Sequence, residues 1–222
     1  MRSCTRLRAL ALVGGWVLLG GLPAGAASVQ ATIVDKKGEP VGDAVLLAFP
    51  AAGGGRSGKP AVVDVDQVDK EFVPRVSAVR AGTPIRFPNY DQIRHHVYSF
   101  SPTKTFEIPL YKGIPADPIV FDQPGVVTLG CNIHDWMQGY VLVTETSYFA
   151  KSGEDGRVTL DGLPAGAARL QVWHPEMEGQ PEDTGQSIEL DADAAQTLRF
   201  QIDRKKSWKV RRGGGRGADR YR

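Results

Sequence analysis

Apolar residues in this chain recur at every second position, in short runs bounded by Gly, Pro, Asn and Asp. Beyond the first 25 residues no stretch sustains the i, i+3, i+4, i+7 spacing of a helix. Side chains two apart share one face of a strand, so a chain written this way covers its core with pleated sheet. The stretches 29–34, 44–49, 61–66, 76–79, 85–87, 97–100, 126–130 and 140–144 read as strands, as do 158–160, 168–173, 188–190 and 198–202. Turn formers separate them at Gly38, Ala81-Gly82, Pro124-Gly125, Glu154-Asp155-Gly156 and Leu163-Pro164-Ala165-Gly166. The expected fold class is all-β, an antiparallel sandwich or barrel.

A Gly-rich connector over 51–58 breaks the pattern, and after residue 148 the texture of the first segment returns. Two strands cannot hold a core alone, so the first segment needs partners from elsewhere. The expected organisation is a split domain, 28–55 with 148–203, into which a second domain over 60–145 is inserted.

The two ends differ from the body. Arg2, Arg6 and Arg8 precede an apolar run at 10–22 and the small residues Ala24, Gly25, Ala26 and Ala27. This reads as a signal peptide over 1–27, cut after Ala26 or Ala27, with an uncleaved anchor as the alternative. The expected location is periplasmic, with no stable membrane insertion after cleavage. Cys4 leaves with the signal, so Cys131 remains as the one cysteine, unable to close an internal disulfide. Residues 28–203 carry 15 Lys and Arg against 24 Asp and Glu, a net charge of −9, whereas 204–222 carry 9 against Asp219, a net charge of +8. The body is thus acidic and the end is a basic tail with a disordered composition. It is either merely solvated or docks on an anionic partner or membrane surface. Export makes nucleic acid an unexpected partner.

The stretch CNIHDWMQGYVLV, 131–143, concentrates the chemistry. Cys131, His134 and Met137 stand three residues apart, just before a strand. Thiolate and imidazole are good ligands for late first-row metals, and a thioether is a weak, soft ligand useful mainly to copper. Two His, one Cys and a long axial Met describe a blue-copper electron-transfer site, and this loop carries three of the four. His174 falls in the other expected domain. The missing imidazole is therefore His95 or His96; adjacent strand residues face opposite sides, so one of the two points at the metal. Each residue alone has a plainer role: a buried apolar Cys, a core Met, a surface His pair. Zinc on two His and Cys would leave Met137 idle, and c-type haem needs a second cysteine. No oxyanion hole or cleft suggests a Cys-His hydrolase.

On these residues the 60–145 segment resembles a cupredoxin of the plastocyanin and amicyanin kind. The resemblance rests on Asn89 with His95 six residues later, and on Cys-x-x-His-x-x-Met followed by Gly139, Val141 and Val143. His96 departs from the pattern by standing where the family has Asn. The resemblance implies a Greek-key β-sandwich holding copper through His95, Cys131, His134 and Met137. It makes His134 the electron port, and it has the backbone N–H of His96 donating to the Cys131 sulfur. Tyr90, Ile93, Ile133 and Trp136 are candidates for a dry rim. The flanking segments resemble a carboxypeptidase-regulatory-like (transthyretin-like) β-sandwich. They do so through Asp35-x-x-Gly38-x-Pro40-Val41-x-x-Ala44-Val45, Asp155-Gly156-Arg157-Val158-x-Leu160 and Leu163-Pro164-Ala165-Gly166. Those are mostly turn formers and speak to fold, not function.

The expectation is an exported carrier of single electrons between redox partner proteins, with copper as cofactor and no enzymatic activity. Two rivals stand beside it: a copper-binding or copper-delivery module without electron turnover, and a metal-free binding or structural sandwich. Partner identity and oligomeric state are not encoded in any of these features.

Overall fold

Val29, Ala31 and Ile33 alternate with Gln30 and Thr32, and the apolar set is buried to within a few per cent. That alternation turns one face of β1 (Ala26–Asp35) to the core. The structure is a computed structural model and describes residues 26–205 except 54, 56, 57 and 116. After β1 come β2 (Val45–Pro50), β3 (Val63–Asp64), β4 (Asp66–Val68), β5 (Glu71–Val73), β6 (Val76–Arg80) and β7 (Thr83–Arg86). They are followed by β8 (His95–Ser101), β9 (Lys104–Tyr111), β10 (Ile119–Phe121), β11 (Gly125–Gly130) and β12 (Gln138–Thr144). The last five are β13 (Tyr148–Lys151), β14 (Arg157–Pro164), β15 (Gly166–Trp173), β16 (Gln186–Leu190) and β17 (Ala195–Ile202). The only helix among the described residues is a single 3₁₀ turn, Pro181–Thr184. The protein is all-β.

The sheets sort by chain segment. Sheet order β14-β1-β17 and sheet order β13-β2-β15-β16 draw on both ends of the described chain. The middle of the chain forms β6-β12-β11-β8-β9, β10-β7-β3 and the hairpin β4-β5. Two buried clusters follow the same division. One joins Val29, Ile33, Leu46, Leu163, Leu170 and Phe200. The other joins Phe72, Phe87, Val97, Leu129, Cys131 and Met137. Each aliphatic side chain so buried contributes about 1.5–3 kcal/mol.

The strand β12 belongs to both clusters. Val141 and Val143 point into the second, while Leu142 and Tyr140 pack on the first. Val76 and Ala78 of β6 also pack on the first cluster. Polar contacts cross the same boundary. Arg75 Nη2 meets Glu176 Oε1 at 3.0 Å, and the Arg75 guanidinium lies 5.4 Å from the Tyr140 ring centre. Lys151 Nζ donates to the Val76 carbonyl at 3.1 Å.

The pairing is not purely antiparallel, as the strand spacing suggested. β1 runs parallel to β17, β12 to β6 and β3 to β7. None of these pairs is joined by a hairpin, so no tight turn dictates their direction. Four strands were also unforeseen: β5, β9, β10 and β13. The expected turn at 163–166 is tighter than four residues, since β14 runs through Pro164 and β15 starts at Gly166, which takes φ +110°.

At the N-terminal end, Ala26 and Ala27 already pair with Pro164 and Leu163, and Ala27 is buried. The rest of the expected signal segment lies outside the described residues, with Cys4. At the other end, Arg204 Nη2 donates to Asp35 Oδ2 at 3.2 Å and the Lys205 amide to the Glu176 carbonyl at 2.8 Å. The remainder of the basic tail also lies outside the described residues. Among the described residues no helix is long and apolar enough to cross a membrane.

Candidate metal centre

Two loops build the site. The first closes the β11–β12 hairpin. Gly130 pairs with Gln138, so the seven residues 131–137 must turn back within one strand spacing. The Met137 amide donates to the His134 carbonyl at 2.9 Å and tightens the turn. Cys131 and Met137, at its two ends, point into the second core, 4% and 2% exposed. His134, in the middle, stays half-buried.

The second loop joins β7 to β8. Asn89 pins it, with its Nδ2 donating to the carbonyls of Ile93 at 3.0 Å and Tyr111 at 2.9 Å. Its Oδ1 accepts from the Asp91 amide at 3.0 Å. Tyr111 is itself held, donating to the Phe87 carbonyl and accepting from Gln67 Nε2, and burial pushes its phenol up to about 12. β8 then enters through a bulge, where the β8–β9 register shifts between His95 and Val97.

The loops bring His95, Cys131 and His134 into one group, with the ligand atoms all within 4.8 Å of one another. Nδ1 of His95 lies 3.9 Å from Cys131 Sγ, and Nδ1 of His134 lies 3.7 Å from it. The two imidazole rings are 5.0 Å apart. Ligands held about 2.0–2.3 Å from one metal ion and spread at about 120° stand about 3.7 Å from each other. The measured spacing fits such an ion, and a thiol with two imidazoles is a donor set for a late first-row metal. Met137 shares the buried cluster with Cys131, on the same loop.

His96 faces away. Its Nε2 meets Glu107 Oε1 at 2.8 Å and its ring lies 5.4 Å from that of Tyr98. Burial, with the Lys70 charge acting in the same direction, lowers the pKa of His134 and favours the neutral ring that can bind metal. Cys131 forms no disulfide and is buried.

The expected dry rim takes a different form. Tyr90 is 58% exposed, Ile93 40%, Ile133 48% and Trp136 38%, so these side chains coat the outside of the two loops. Cys131 instead shares its buried cluster with core residues such as Phe72, Val97 and Leu129. Trp136 lies beside His134, with ring centres 5.3 Å apart and planes tilted by 53°.

Asp91 was not foreseen. Its Oδ2 lies 2.7 Å from Nε2 of His95, the ring nitrogen opposite the one that faces Cys131. Burial alone would raise its pKa, but the His95 hydrogen bond and the amides of Lys70 and Asp69 outweigh that and hold it below the usual carboxylate range. Its position four residues before His95 was the available signal, but an Asp in a loop ordinarily caps a turn.

No known family description matches the chain, and no curated protein matches it. Solved structures do. A copper-containing nitrite reductase from Thermus scotoductus is 28% identical, over 44% of this chain and 25% of its own, with a TM-score of 0.37. A purple cupredoxin from Nitrosopumilus maritimus is 22% identical, over 38% of this chain and 99% of its own, with a TM-score of 0.33. An amicyanin variant in its reduced Cu(I) form is 20% identical, over 46% of this chain and 99% of its own, with a TM-score of 0.35. The matched part thus spans about a quarter of the nitrite reductase.

Proposed function

We propose that this is an exported type 1 copper protein that carries single electrons between periplasmic redox partners, and that it is not an enzyme. In this reading residues 60–145 are a cupredoxin domain inserted into a second small β-sandwich formed by 28–55 and 148–203. The observation that carries the proposal is the convergence of two Nδ1 atoms on one buried cysteine sulfur, at 3.9 and 3.7 Å.

Copper bound there would supply reversible one-electron chemistry, tuned by thiolate and thioether donors. His95, Cys131 and His134 would hold it, with Met137 as a weak fourth ligand. The loops are fixed by backbone pairing and by the Asn89 hydrogen bonds, so the donors are pre-arranged and little has to move. Cys131 is 4% exposed and shares an apolar cluster, which lowers the polarity around the sulfur.

His134 and Trp136 stand on one loop with exposed Ile133, and Tyr90 and Ile93 are exposed on the other loop of the site. An apolar surface around a ligand imidazole suits a transient protein partner, which can approach without stripping charged groups of water. The export signal of the first 27 residues would deliver the protein to that compartment.

Adding Cu(II) to the metal-free protein tests the reading. The expected result is an intense blue thiolate-to-copper band that bleaches with ascorbate and returns on reoxidation. Colourless or non-reducible copper would replace electron transfer by copper delivery, and no binding at all would remove the metal.

A further inference from the structure

Two backbone amides and one imidazole nitrogen converge on the carboxylate of Asp91. The Asp69 amide donates to Oδ1 at 2.7 Å and the Lys70 amide to Oδ2 at 2.8 Å. Nε2 of His95 lies 2.7 Å from Oδ2. The two amides belong to the two-residue turn between β4 and β5, where Asp69 takes φ +53° and Lys70 φ +61°. Left-handed backbone costs an L-residue about 1–2 kcal/mol. Asn-Gly is the usual solution for such a turn, and this chain carries Asp-Lys instead. The conformation aims two successive amides at one carboxylate.

An ionised carboxylate only accepts hydrogen bonds. Opposite it, Nε2 must carry the ring proton, which leaves the Nδ1 lone pair free on the side of Cys131. We propose that Asp91 is a positioning residue for the metal centre, locking His95 in the Nε2–H tautomer and strengthening Nδ1 as a donor. The proposal rests on the copper reading above. A carboxylate behind a histidine ligand fixes the ring and raises its basicity. A stronger nitrogen donor favours the cupric over the cuprous ion, so Asp91 lowers the reduction potential.

Asp91→Asn tests this. Its amide offers one acceptor oxygen to three donors, and its NH₂ cannot accept. In the metal-free wild type, nitrogen-15 spectra of the imidazoles should show His95 as the Nε2–H tautomer alone. In the variant both tautomers should be present, copper affinity should fall about 10- to 100-fold, and the potential should rise. An Nδ1–H tautomer in the wild type would overturn the proposal, whether or not the variant folds. So would a folded variant with wild-type tautomer, affinity and potential. A wild type that binds no copper would sink the electron-carrier reading instead, while the nitrogen spectrum would still decide whether Asp91 sets the ring.

Discussion

His96 Nε2 and Glu107 Oε1 stand 2.8 Å apart on the face of β8 turned away from Cys131. The pair commits His96 to the outer side of the sheet, because its neighbour His95 takes the inner one. His96→Ala should therefore keep the blue band of the copper-loaded protein, and His95→Ala should lose it. Absorption spectra of the two variants at equal copper loading decide the matter; loss of colour in His96→Ala alone would reverse the assignment.

Cys131→Ser keeps the size of the side chain and removes the thiolate. The blue band should be absent at every copper concentration. The new hydroxyl, buried without a designed partner, should also cost about 1–3 kcal/mol of stability. Absorption and denaturant unfolding read the two effects separately.

Met137→Leu conserves volume in the core and should cost less than about 1.5 kcal/mol. The other three donors remain, so the colour should persist. The cupric ion loses a donor, and the midpoint potential should rise. A potential unchanged in voltammetry would remove Met137 from the ligand set.

Gly139 lies against Phe72. A Cβ built at Gly139 would come within 3.0 Å of the Phe72 Cβ and 3.2 Å of its Cγ. Phe72 is fully packed and cannot swing aside. Gly139→Ala should destabilise the fold by about 1–3 kcal/mol, visible as a lower denaturation midpoint with an unchanged slope.

His174 supplies a pH dependence remote from the metal loops. Burial pushes its pKa down to about 4, and the Arg204 and Arg75 charges add to that, against the opposing pull of Glu176. The unfolded chain takes up this proton near pH 6.5, whereas the folded protein does not until about pH 4. The stabilisation is complete above pH 6.5 and is lost as pH falls towards 4, roughly 3 kcal/mol in total. His174→Asn, whose Oδ1 can replace Nδ1 as acceptor for the Glu176 amide, should flatten that slope in unfolding measured from pH 7 to 4.

The meeting of Cys131 and His134 was legible because a short hairpin loop leaves few ways to separate residues three apart. Strand alternation separated His95 from His96. Asp91 was not legible, because its role depends on amides some twenty residues earlier in the chain, brought there by the β4–β5 turn. β9 alternates Phe106, Ile108 and Leu110 with Glu107 and Pro109, but the proline inside the run reads as a break, and only an edge strand tolerates it. The parallel pairing of β1 with β17 was equally hidden. Its two strands lie at opposite ends of the described chain, and no local turn announces their direction.

Because Leu142 and Tyr140 grip one side of β12 while Val141 and Val143 grip the other, the segment that follows Cys131 and His134 has no free flank along which to slide. A disturbance in the first cluster, around Leu46 or Phe200, would thus be transmitted to the 131–137 loop as a loosening of that clamp. Warming should release the colour and melt the whole protein in a single event.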